Sequence, residues 1–312
     1  MKKQFALGLL AAVAASGAFA QSSVTVYGRL NVTLESQKVG EDGDRFSEVN
    51  NNSSRIGFKG TEDLGGGLKA GFQIEHGFDP TNGKAADTFW GRQSEVNLGG
   101  GFGTVRLGNF TPESYYATAD YISMHNHDTG LSSDTLYAFD TYVTANKVGY
   151  ASPNFGGFQF HASVAEGSAT TERTYDLAGN FDRGPLHLGA GFSKQDENKQ
   201  FALRGLYEMG AFTVGAYYQR ATLEGAGNRN NFRLAGMYAF GANELHLNVG
   251  RTGDYSEVDD SGATQWTVGY NYNLSKRTKV YGYYTSVNVA DDAAQFYGDD
   301  RNSFALGIRH NF

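Results

Sequence analysis

Apolar and polar residues alternate with a period of two from residue 23 to the end of this chain, and that pattern leaves few folds open. VTVYGRLNVTLE sets Val24, Val26, Leu30, Val32 and Leu34 on one face of an extended strand. Thr25, Tyr27, Arg29, Asn31, Thr33 and Glu35 take the other face. PLHLGAGF, NFRLAGMYAF, ELHLNVG and QWTVGYNYNL repeat the pattern, the last with Trp266, Val268, Tyr270, Tyr272 and Leu274 on its apolar side. Beyond the first twenty residues, little favours the 3.6-residue period of a helix.

Sixteen such segments can be marked: 23–36, 50–61, 67–78, 88–99, 101–110, 141–152, 155–166, 172–182, 185–194, 198–209, 211–222, 229–240, 242–252, 262–274, 276–288 and 301–312. Tight connections such as GGG at 65–67, DRGP at 182–185, EMGA at 208–211 and FGAN at 240–243 alternate with longer polar ones, QKVGEDGDRFSEVN, GDYSEVDDSG and VADDAAQFYGDD among them. An even number of strands with short turns at one end and long loops at the other is the pattern of an antiparallel barrel crossing a membrane. Hydrocarbon offers no hydrogen-bond partner, so such a sheet must close on itself. The expected fold is therefore all-β, a 16-stranded antiparallel transmembrane barrel in one domain, wide enough for a water-filled lumen.

The last nine residues, FALGIRHNF, fit that expectation. Phe304, Leu306, Ile308, His310 and Phe312 share one face, and a strand ending on an aromatic residue would fray in water. As the final stave, paired to the first, it would set Phe312 in the aromatic belt at a membrane interface.

Composition narrows the classes further. Glycine is abundant at 42 residues, proline scarce at 4, and aromatics reach 14%, which suits long strands with tight turns. No stretch of the mature chain approaches the 18 apolar residues of a spanning helix. Mean hydropathy is negative, as it also is in barrels whose lipid and lumen faces alternate. Lys2 and Lys3, an apolar run from Phe5 to Val13 and the Ala18-Phe19-Ala20 site describe a secretory signal peptide over residues 1–20, removed to leave residues 21–312. Acidic residues outnumber basic ones 33 to 26, which argues against a nucleic-acid partner. There is no cysteine, hence no disulfide framework.

At the level of motifs the chain resembles the general porins of Gram-negative outer membranes, of the beta-proteobacterial and neisserial kind. The resemblance rests on SSVTVYGRLN, SSRIGFKGTEDLGGGLKAGFQIE at 53–75, WGRQSEVNLGGGFGTVRLGNF at 90–110, GYASPNFGGF at 149–158, YNLSKRTKVYGYY at 272–284 and the terminal GIRHNF, in this order. It implies an integral outer-membrane protein, exported by its leader and assembled as a homotrimer. It would form water-filled channels for passive diffusion of ions and small hydrophilic solutes, with lipid and lipopolysaccharide around it and no cofactor. It also implies that the third long loop folds inward to narrow the channel; the largest gap between segments, 111–140, stands where that loop belongs.

In such channels a ladder of basic wall residues faces acids on the inward loop. By motif, YGR supplies Arg29, SRIGFKG supplies Arg55 and GRQ supplies Arg92. Parity sets Arg29 opposite the Val/Leu face and Arg55 opposite Ile56 and Phe58, but groups Arg92 with the apolar Val96 and Leu98. Where the family often has an arginine before Asn-x-Val-x-Tyr, this chain has Ala145 before NKVGY, and Lys147 on the same face offers a replacement charge. Glu113 and Asp120 are the loop candidates, with Asp128 and Asp134 behind them. The terminal set Phe304, Leu306, Ile308, His310 and Phe312 is the expected assembly signal. His125 and His127 with Asp128 are read as plain loop residues, and no metal site is expected. The acid pairs Asp259-Asp260, Asp291-Asp292 and Asp299-Asp300 are read as solvated outer loops.

Two other classes compete with a channel. A barrel hydrolase would need a nucleophile, base and orienting group together, and there is no G-x-S-x-G. An adhesive or structural barrel would leave the wall arginines unexplained.

Overall fold

The computed structural model of the chain describes residues 23–122, 135–137, 141–168 and 171–312. The leader assigned to residues 1–20, and His125, His127, Asp128 and Asp134, lie outside them. In chain order the strands are β1 (Ser23–Val39), β2 (Phe46–Asn51), β3 (Arg55–Gly65), β4 (Leu68–Asp79), β5 (Lys84–Ala85) and β6 (Gln93–Gly100). Next come β7 (Gly103–Asn109), β8 (Lys147–Ala151), β9 (Phe158–Ala165), β10 (Thr174–Arg183), β11 (Leu186–Gln195) and β12 (Asn198–Met209). The series ends with β13 (Phe212–Leu223), β14 (Gly227–Phe240), β15 (Asn243–Thr252), β16 (Ala263–Asn273), β17 (Thr278–Val289) and β18 (Arg301–Asn311).

All strands join one antiparallel sheet that closes where β1 pairs with β18, Arg29 opposite Asn311 and Val39 opposite Arg301. Phe312 extends the ladder through reciprocal backbone bonds with Gly28, both 3.1 Å. β2 and β3 pair with the two halves of β1 and make one interrupted stave, and β5 is a two-residue extension on β4. The result is a closed barrel of sixteen staves, as the alternation requires.

Three boundaries differ from the sequence reading. The polar stretch after the first strand contains β2, which lies on β1 from Val32 to Gln37. Its link to β3 is held by side chains: Asn31 donates to the Asn52 carbonyl (3.1 Å) and Asn52 to Thr33 (2.7 Å). The segment marked 88–99 becomes strand only at Gln93, and that marked 141–152 only at Lys147.

Alternation and burial agree along most strands, β1 and β14 among them. On β1, Asn31, Thr33, Glu35 and Gln37 are buried while Leu34 between them is 56% exposed; on β14, Leu234 is 66% exposed and its neighbour Arg233 is buried. Among the described residues none covers these outward apolar side chains, an arrangement suited to a hydrocarbon surround. Inward groups satisfy one another: Glu35 accepts from Thr33 (2.6 Å), Tyr283 (3.1 Å) and Ser303 (3.2 Å), and Tyr281 donates to Asn31 (2.7 Å).

At one end the strands join through two-residue turns, Gly184-Pro185, Gly210-Ala211 and Gly241-Ala242. The first residue of each has φ between +58° and +63°, a left-handed conformation that glycine adopts without strain. Phe212, Tyr238 and Phe240 stack beside these turns at 4.6 and 5.3 Å, forming part of an aromatic girdle.

Candidate functional site

Three arginines from different parts of the chain meet on one arc of the inner wall. Arg29 on β1 is the direct cross-strand neighbour of Arg55 at the start of β3. Like charges so placed repel, and other groups divide the load. Arg29 donates to Asn311 (3.3 Å), and Glu75 on β4 stands 4.0 Å from Arg55. Arg92 reaches the same carboxylate at 2.6 Å. It lies in the bend before β6, so strand parity does not govern it, which resolves its conflict with Val96 and Leu98. Its side chain passes over Gly77, where even a methyl group would sit 3.4 Å from Cδ.

The segment after β7 turns into the barrel. Short helices Glu113–Ala117 and Ala119–Ile122 lie against β10 to β13. Ser114 donates its backbone N–H (3.1 Å) and its hydroxyl to the inward Asp176 on β10. Gly189 and Gly191 on β11 make this seat possible. A methyl group at Gly189 would fall 1.8 Å from the Ala117 carbonyl oxygen, and one at Gly191 2.8 Å from Ser114 Cβ. Further along, the Leu136 carbonyl accepts from Arg229 (3.4 Å) and Asn231 on β14. Tyr137 packs under the Arg233 guanidinium at 4.5 Å, and Thr141 bonds Ser193 at 2.5 Å. The described parts of the segment thus rest on the β10–β14 wall, and open space borders them on both the arginine side and the β9–β12 side.

There Arg29, Arg55, Arg92 and Asp120 line one cavity of about 560 Å³, together with Glu75, Gln73, Tyr27, Tyr115, Tyr116 and Tyr142. Four of the six charged residues picked from sequence thus come together. The other two lie elsewhere. Glu113 pairs with Arg106 on β7, which also holds Glu95 at 2.7 Å, and it faces a second cavity of about 730 Å³ with His161, His187, Asp182, Glu208 and Arg204. Lys147 is on the inward face as parity predicts, but its ammonium lies beneath the Phe110 ring (4.5 Å) and donates to the Phe110 carbonyl (3.2 Å). Asp120 and Tyr116 border both cavities. On the outside, Phe304, Leu306 and Ile308 are about half exposed and share the outward face with His310 and Phe312.

Sequence reasoning missed Arg106, although Val105 and Leu107 flank it on the outward face and mark it as inward. It also gave no role to Glu75, Arg204 or Arg229. Among the described residues no group of His, Asp and Glu has the makings of a metal site.

The profile of Gram-negative porins matches residues 6–311. Outer membrane porin protein 32 of Delftia acidovorans is 33% identical over 362 residues, spanning the whole of both chains. The major outer membrane protein P.IB of Neisseria lactamica is 29% identical, again over the whole of both. Among solved structures, the anion-selective porin from Comamonas acidovorans superposes with a TM-score of 0.79 over 94% of this chain and 100% of its own, at 28% identity. The barrel, its outward apolar band and its polar lumen agree with these likenesses: the chain belongs to the Gram-negative porin family, integral outer-membrane channels through which solutes diffuse passively, without catalysis.

Proposed function

We propose that this channel favours anions over cations, and that Arg29, Arg55 and Arg92 set the preference at an eyelet closed from the other side by residues 111–140. The observation that carries the reading is the shared cavity, where three guanidiniums face two carboxylates, Glu75 and Asp120. A narrow, low-dielectric passage makes each fixed charge count for more than it would in bulk water. The anion selectivity of the Comamonas acidovorans porin, 28% identical, supports the same assignment. Opposed charges also reorient the dipoles of small hydrophilic solutes as they pass.

Residues 1–20 act as the cleaved export leader, and the outward face of β18 with Phe312 as the assembly signal. The working unit is a homotrimer. Membrane lipid covers the outward apolar band, and lipopolysaccharide meets the outer loops. In a planar bilayer the protein should insert in current steps grouped in threes, with a zero-current potential of anion-selective sign in a KCl gradient. Single, ungrouped steps would refute the trimer; a cation-selective sign would refute the charge assignment.

A further inference from the structure

The eyelet has an aromatic side as well as a basic one. Tyr115, Tyr116 and Tyr142 from the inward segment line the same cavity as the arginines, and Tyr27 stands on the wall. Tyr115 meets Tyr142 edge-on at 5.5 Å and Tyr116 at 5.9 Å, so the three rings make one cluster. The cluster is held in place: Tyr142 donates to Thr111 (3.3 Å), and Ser114, next to Tyr115, is bonded to Asp176. Tyr116 and Tyr142 are 36% and 41% exposed, leaving ring surface for a solute. Tyr27 is fixed by the Gln73 amide at 2.6 Å.

Guanidiniums take a carboxylate bidentately and also stack on aromatic faces. Tyrosine rings attract other rings in offset or edge-to-face contacts. An aliphatic carboxylate engages only the arginines, and a neutral aromatic mainly the tyrosines. A planar molecule with a carboxylate on an aromatic ring engages both at once. We infer that the eyelet is a transit site for aromatic carboxylates of the benzoate class, held briefly between the arginine arc and the tyrosine cluster. The inference rests on the anion reading above.

The test compares sodium benzoate with sodium cyclohexanecarboxylate, equal in charge and similar in size but without a π system, as blockers of KCl current through wild-type channels. Benzoate should reach half-block at a concentration on the order of three- to ten-fold lower, the range that one or two ring contacts supply. The ratio should fall toward one in Tyr142→Leu and in the Tyr115→Leu/Tyr142→Leu pair. Equal potency of the two acids in the wild type overturns the inference whatever the variants do. The two readings fail separately: equal block beside an anion-selective zero-current potential removes the aromatic site alone, and a cation-selective potential removes both.

Discussion

The Asp176 carboxylate accepts both the backbone N–H and the hydroxyl of Ser114, joining β10 to a residue 62 positions earlier. Both groups are buried, so the bond fixes the start of the inward segment against the β10 wall. Asp176→Ala strips two buried donors of their acceptor, at a cost of about 1–3 kcal/mol for each group left unsatisfied. Single-channel records of the variant should show more open-state noise and a broader conductance distribution. Traces matching the wild type would mean that the segment is held by other contacts.

Gly189→Ala tests the same seat by steric means. Its new methyl would lie 1.8 Å from the Ala117 carbonyl oxygen, a backbone atom that cannot rotate away. Overpacking of this kind costs about 1–3 kcal/mol, and it should displace the helix and change the mean conductance while the barrel still inserts. Gly236→Ala, where nothing lies within 4 Å of the added methyl, is the matched control and should conduct as the wild type. Equal conductance in both variants would refute the seating role of Gly189.

The alternation revealed most of the barrel because the two solvents force it: hydrocarbon outside and water inside act on every second residue. Where lipid does not act, the signal fades. The stretch at Phe46–Asn51 is a strand, but SEVNN carries too few apolar residues to alternate. Arg29 and Arg55 were legible from parity because both sit within strands. Arg92 was not, since it occupies a bend, and only its motif identified it. Parity aimed Lys147 correctly inward but could not foresee that Phe110 covers it. The pairing of Glu113 with Arg106 was hidden because the path of the inward segment depends on close approaches, at Gly189 and Gly191, that no local pattern announces.

Phe312 sits at the seam between the first and last strands, where it also borders the arginine-lined cavity, and the role proposed for it is assembly. Its backbone completes the ladder with Gly28, and its ring lies over Gly28, where an added methyl would come within 2.4 Å of it. Deleting Phe312 should lower the amount of folded, heat-modifiable barrel in the outer membrane severalfold while the single-pore conductance of what does assemble stays unchanged. Wild-type yield from the truncated chain would remove the assembly role.

The central claim is that the local field of the eyelet outweighs the net acidity of the chain. Outer-loop acids are screened within about 8 Å at physiological salt, whereas on the proposed assignment the arginines act on a passing ion at close range. Its most direct test is the zero-current potential across a bilayer in a KCl gradient, for the wild type and for Arg55→Glu, at low and at high mean salt. The account predicts an anion-selective sign for the wild type and a shift toward cations in the variant, larger at low salt. A cation-selective wild type whose potential Arg55→Glu leaves unchanged would contradict it.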